Sequence, residues 1–119
     1  MENLIYNELV RRGHTVDVGV VPIAAVNSEG RKETRQYEID FVVNRPPRKL
    51  YIQSAFSMPD QEKMDQELLP LRKSGDFFGK MVITSGYSSP RVSEEGIVHV
   101  GVIPFLLNPS ILDNALQNS

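Results

Sequence analysis

Two apolar stretches, "EIDFVV" at residues 38–43 and "LYIQSAF" at 50–56, stand on either side of "NRPPRK". Pro46 and Pro47 cannot donate to a central ladder, so they end one strand and turn the chain into the next. A hairpin here restricts the fold more than any other feature, because it puts Asp40 and Gln53 on neighbouring strands. Side chains alternate along a strand, which predicts one face shared by Glu38, Asp40 and Val42, and another by Tyr51, Gln53 and Ala55. A carboxylate among Ile39, Phe41, Val42 and Val43 is costly unless a partner or a metal meets it.

Around this hairpin the periodicity supplies the other elements. "ENLIYNELVRR", residues 2–12, carries Glu2, Ile5, Tyr6 and Leu9 at helical spacing, and Gly13 is placed to stop the helix. "HTVDVGVVPIAAV" alternates as a strand, and "NSEGRKE" supplies turn chemistry before residues 34–44 resume strand character. After "SMP" the period changes, so that Met64, Leu68 and Leu71 mark one face of a helix capped by Asp60 and kinked or restarted at Pro70. "KMVITS" and "IVHVGVI" read as strands separated by a loop, "GYSSPRVSEEG", and "PFLLN" with "PSILDNALQ" closes the chain as helical turns. The predicted order is α-β-β-β-α-β-β-α, an α/β (α+β) domain with a mixed central sheet flanked by helices.

A chain of 119 residues suits one domain, 1–119, without repeats. The absence of cysteine excludes disulfides, thiolate catalysis and cysteine zinc sites, and His14 and His99 lack the local spacing of a metal pair. A formal charge of −2 argues against a general polyanion binder. The charge is unevenly placed, however, with Arg45, Arg48 and Lys49 forming a basic turn suited to phosphate contact. Apolar runs are strand-sized and Glu2 follows Met1, so neither a membrane span nor a leader is expected, and the cytoplasm is the expected address. "GDFFGK", residues 75–80, has one residue too few between its glycines and Met81 where Ser or Thr is needed. No ATP site is expected in this chain.

If the first helix packs on the Asp40 side, Glu2, Asp40 and Gln53 converge at one end of the sheet. Oxygen donors of that kind suit Mg²⁺, which takes one or two carboxylates together with water. The bland alternative is that Asp40 bonds backbone amides, Glu2 favours its helix terminus and Gln53 satisfies a neighbour. On spacing alone this alternative is favoured by roughly two to one. Lys63 reads most simply as a solvated charge, and Tyr6, Tyr37 and Tyr51 as core or half-buried residues.

Taken together, "MENLIYNELVRRGHTVDVG", "EIDFVV", "LYIQSAFSM", "LLPLRKSGDFFGKMVIT" and "GIVHVGVIPFLL" resemble the C-terminal domain of a family of prokaryotic AAA+ ATPases, a domain of uncharacterised function. The element order also resembles the PD-(D/E)xK nuclease superfamily, the restriction-endonuclease-like fold that includes archaeal Holliday junction resolvases. The resemblance implies that Glu2 stands at the helix-one glutamate and Asp40 at the metal-binding aspartate. Gln53 stands where the second strand acid belongs, and Ala55 where the lysine belongs. An amide oxygen can touch a metal but brings no charge, and losing a positioned acid–base group costs about 10²- to 10⁴-fold in rate. Lys63, on the second helix, is a candidate substitute for the lysine, and nothing in the sequence requires it in that role. The resemblance therefore implies a degenerate nuclease module, with metal candidates Glu2, Asp40 and Gln53, Mg²⁺ weakly held, and DNA contacts at Arg45, Arg48 and Lys49. It further implies that the chain is the C-terminal fragment of a larger ATPase, whose ATPase module is its partner. An active Mg²⁺-dependent endonuclease and a structural oligomerisation domain are the alternatives.

Overall fold

The computed structural model describes residues 1–55 and 61–118. They form α1 (Glu2–Arg11), β1 (Thr15–Val26), β2 (Lys32–Arg45), β3 (Arg48–Ala55), α2 (Gln61–Arg72), β4 (Gly79–Thr84), β5 (Arg91–Val92), β6 (Ile97–Gly101), α3 (Val102–Leu107) and α4 (Pro109–Gln117). The domain is α+β, with one six-stranded mixed sheet in the order β1-β2-β3-β4-β6-β5 and helices on both faces. The neighbours β3, β4 and β6 run parallel, and the outer pairs are antiparallel.

The order differs from the predicted one in two places. Inside the expected loop "GYSSPRVSEEG", Arg91 and Val92 pair with His99 and Val98 as a short edge strand. At the chain end two helices form instead of one, because Asn108 leaves α3 in an extended conformation and its Oδ1 accepts from Ser110 N at 3.2 Å. With Pro109 at the first helical position, that is an N-cap for α4. α2 runs through Pro70, and its expected cap, Asp60, lies outside the described residues.

Each face of the sheet has its own core. On one, Ile5 and Leu9 of α1, Phe105 of α3 and Leu112 and Leu116 of α4 pack on Phe41, Val43, Leu50, Ile52, Met81 and Ile83. On the other, Leu68 and Leu71 of α2 cover Ile39, Val42, Ala55, Val82 and Ile97. The strands β3, β4 and β6 are covered on both faces, so they read as continuous apolar runs rather than as alternation. Tyr6, by contrast, is exposed on α1 rather than half-buried. Arg12 ties α1 to α3: it is held by Glu8 at 3.2 Å, stacks 5.1 Å over the Phe105 ring and donates to the carbonyls of Phe105 and Leu106. A cation on the last carbonyls of a helix satisfies groups that have no partner within it.

A β-bulge in β2 changes what Asp40 faces. Asp17 pairs with Val42 but Gly19 pairs with Ile39, so Asp40 and Phe41 together oppose the single residue Val18. The extra residue resets the alternation. Ile39 and Val42, three positions apart, both join the α2-side core, while Phe41 joins the α1-side core. The shared face predicted for Glu38, Asp40 and Val42 is therefore corrected. Gly19 accommodates the crowding, since a Cβ there would stand 2.9 Å from Val42 Cγ2 and 3.1 Å from Ile39 Cβ.

Candidate functional site

The bulge carries Asp40 beyond the last paired residues of the β2–β3 ladder, Phe41 and Ile52. There its side chain takes over the pairing. Asp40 Oδ2 accepts from Ser54 N at 2.8 Å, and Ser54 Oγ lies 3.0 Å from the same oxygen and 3.4 Å from Glu2 Oε1. One hydroxyl proton thus stands between two carboxylates, one from the start of α1 and one from the bulge. The sequence-predicted convergence of Glu2 and Asp40 is present, through a serine that alternation alone did not single out.

Gln53 does something else. Its Oε1 accepts from the backbone N–H of Asp40 at 2.7 Å, and its Nε2 donates to the backbone carbonyl of Glu67 on α2 at 3.3 Å. At 4% exposure the amide is a brace closing the gap that the bulge opens between β2, β3 and α2. Without it the Asp40 N–H would lose its acceptor, at a cost on the order of 1–3 kcal/mol. Gln53 does not line the cavity formed by Met1, Glu2, Asp40, Ser54, Ala55 and Glu67, which encloses about 200 Å³.

The third acid on this cavity is Glu67, which sequence reading missed because it falls on the exposed side of α2. Desolvation first, then the charges of Asp40 and Glu2, hold its carboxyl above the usual range. Among the described residues no three Asp, Glu or His side chains converge as a group able to hold a metal ion. The carboxylates that a hard cation could meet here are Glu2 and Asp40, with Glu67 also lining the cavity, a set that fits Mg²⁺ only with several retained waters. Ala55 is buried at the cavity wall and carries no acid–base group. Lys63 sits on α2 one turn ahead of Glu67 and is not among the residues lining the cavity.

The basic turn lies elsewhere. Arg45 pairs with Arg48 across the cis Pro46–Pro47 bond, six residues along β3 from Ser54. At about 3.3 Å per residue that is roughly 20 Å from the carboxylates. Arg45 and Arg48 are exposed, and Lys49 places its ammonium 5.2 Å over the Phe78 ring. The nearby "GDFFGK" segment closes on itself, with Lys80 donating to the Asp76 and Phe78 carbonyls and Asp76 accepting from Tyr51.

Among the described residues no helix is long and apolar enough to cross a membrane. No family model matches the chain. It is similar to a protein of Haemophilus influenzae described as an uncharacterized protein, with 31% identity over 107 residues. That match covers 90% of this chain and 22% of the relative, so the chain spans less than a quarter of the protein it resembles.

Proposed function

We propose that this chain is a non-catalytic module of the restriction-endonuclease-like, PD-(D/E)xK fold, binding nucleic acid or a protein partner on behalf of an attached AAA+ ATPase in the cytoplasm. The observation that carries the reading is the Gln53 brace. Where a nuclease of this fold keeps an acid facing the metal, this chain has an amide whose two ends are engaged by Asp40 N–H and the Glu67 carbonyl. Where it keeps a lysine, Ala55 is buried against Val42 and Leu68 in the α2-side core. The match to a stretch amounting to 22% of a longer relative agrees with a module that works as part of a larger protein. A plasmid nicking time course with Mg²⁺ and Mn²⁺ tests the catalytic half of the proposal: no cleavage is expected, and robust nicking abolished by Asp40→Asn would overturn it. Anisotropy with labelled duplex, single-stranded and branched DNA tests the nucleic-acid half.

A second reading rests on the cavity itself. Glu2 and Asp40 share a cavity of about 200 Å³ with Glu67, whose carboxyl is held above the usual range by desolvation first and then by their charges, and this supports a weakly held divalent cation. Mg²⁺ there would supply charge neutralisation and nothing that depends on Gln53 or Lys63. A Mn²⁺ titration followed by paramagnetic broadening checks it: broadening centred on Glu2, Asp40 and Ser54 and lost in Asp40→Asn supports a bound cation, and uniform weak broadening opposes it.

A further inference from the structure

A second cavity, of about 320 Å³, opens over the carboxyl ends of β4 and β6 and is lined by Met64, Thr84, Ser85, Ser88, Arg91 and His99, with Val100. It is roughly ten times the about 30 Å³ that a water occupies in the liquid. Ligands of open sheets with parallel strands sit at this end, where the strand carboxyl termini and their loops make a crevice. His99 is 7% exposed, and its Nδ1 has no hydrogen-bond partner among the described residues. A buried polar atom left unpaired costs stability, and such an atom in the wall of a cavity marks a place where a ligand completes the pairing.

The charges point the same way. Arg91 is paired directly opposite His99 across the β5–β6 ladder, which puts both side chains on one face. Among the described residues no acidic side chain lines the cavity. Two acids of this region are already engaged. Glu95 is gripped by Arg72 through two bonds of 2.6 and 2.8 Å, and Asp65 meets the same guanidinium at 3.0 Å. Arg91 forms no ion pair among the described residues, and it lines the cavity together with Ser85 and Ser88, residue types that carry N–H and O–H donors. Burial, followed by the charge of Arg91, holds His99 below its ordinary value and so keeps it neutral at pH 7.

The wall is also preorganised. Gly101 N donates to Ser88 O at 2.8 Å and Ile103 N to Gly86 O at 3.1 Å, fixing the loop after β4 against the end of β6. The two backbones approach so closely that a Cβ on Gly101 would stand 2.6 Å from Gly86 O and Ser88 N. Donors held on rigid backbone bind without the cost of ordering a loop.

We propose that this cavity binds a single oxyanion of the phosphate class, with Arg91 as the bidentate partner, the Ser85 and Ser88 hydroxyls as further donors, and His99 completing the wall. The apolar side made by Met64 and Val100 leaves room for an ester substituent. Two sources share this chemistry: a free phosphate or phosphate monoester, and the terminal phosphate of a nucleic-acid strand. The inference stands apart from the nuclease-fold reading, since it uses none of Glu2, Asp40 or Gln53.

The test is a titration of the isotope-labelled chain at constant ionic strength, followed by amide chemical shifts. The probes are inorganic phosphate, a short 5′-phosphorylated oligonucleotide and the same oligonucleotide without the phosphate. Saturable shifts confined to residues 84–91 and 99–101, at least tenfold weaker in Arg91→Gln and severalfold weaker in Ser88→Ala, are expected. Tighter binding of the phosphorylated strand than of inorganic phosphate identifies a nucleic-acid end, and equal binding identifies a free anion. Either supports the site. Absence of saturation with both phosphate probes, or affinity unchanged in both Arg91→Gln and Ser88→Ala, overturns it. Both altered side chains are exposed, so the variants are expected to fold, and an unchanged wild-type spectrum away from the cavity confirms that they do.

Discussion

Two cavities open at the same end of the parallel strands, one over β3 and one over β4 and β6, and their polar groups are in different circumstances. In the first, Ser54 joins Glu2 to Asp40, and Gln53 joins Asp40 to α2, so the groups that sequence reading marks as ligands bond one another. In the second, a buried imidazole nitrogen and an arginine lack partners among the described residues. Residues that match a catalytic pattern can bond one another as architecture, while residues matching no pattern are left with binding capacity. Counting satisfied hydrogen bonds separates the two cases, and residue type alone does not.

The comparison is broken most forcefully at Gly101. A Cβ meeting backbone at 2.6 Å on two sides has nowhere to go, so Gly101→Ala is expected to cost about 3 kcal/mol, the upper range for overpacking. The damage falls on the loop that carries Ser85 and Ser88. Denaturant midpoints measure the loss, and amide shifts that change around residues 84–101 but not around Asp40 would show that the two cavities are independent.

Next in size is the brace. Gln53→Leu leaves the Asp40 N–H without its acceptor and removes the tie to the Glu67 carbonyl, with an expected loss of about 2 kcal/mol in chemical denaturation. A loss near zero would mean that the first cavity is no more saturated than the second. A smaller effect, about 1 kcal/mol, is expected for Gly19→Ala, whose Cβ meets side chains that can give by a few tenths of an ångström.

The most delicate contrast is with pH. His99 titrates below its ordinary 6.5, so the unfolded chain takes up the proton first, and stability present above pH 6.5 is lost as the pH falls below it. The groups around His99 are Arg91 on β5, Arg72 on α2 and Glu95 in the turn before β6. Since His14 shifts in the same direction, the His99 share is the part of the slope removed by His99→Gln. Glu67 behaves oppositely. Its folded carboxyl protonates above 4.5, so its unfavourable charge is fully present at neutral pH and is relieved as the pH falls towards that value. Because Glu67 is exposed and screened by solvent, Glu67→Gln is expected to gain at most about 0.5 kcal/mol at pH 7. A pH series of urea midpoints on wild type and both variants checks the two signs together.

How much of this was legible depended on distance along the chain. The hairpin, its diproline turn and the pairing of β3 beside β2 follow from alternation over a few residues, and Glu2 heading α1 follows from one helical stripe. Three features depend on more remote facts. The bulge at Asp40 is decided by its pairing with β1, and its one local trace is Gly19 within an otherwise β-branched run. Glu67 belongs to the cavity only because α2 crosses β3, which nothing in "QELLP" announces. His99 looks like any core histidine until β5 brings Arg91 opposite it, and two residues are too short a strand to read from pattern.

The bulge also limits how the hairpin can change length. Beyond it, Ile39 keeps to the α2 side, beside Val21 and Ile23 of the regularly alternating β1, only because one surplus residue has shifted the phase of β2 by half a period. Losing one residue between Asp40 and the tip would undo that shift. The β2 residues between the deletion and Asp40 would be turned to the opposite face while β1 and the body of the sheet stayed in step. Removing two would preserve the phase. The tip itself is free of this arithmetic, since Asn27 closes it by accepting from Glu29 N and Arg31 N without reference to which face is buried. Length variation in chains that share this hairpin is therefore expected to collect at residues 27–31, and elsewhere along the arm to come in even steps.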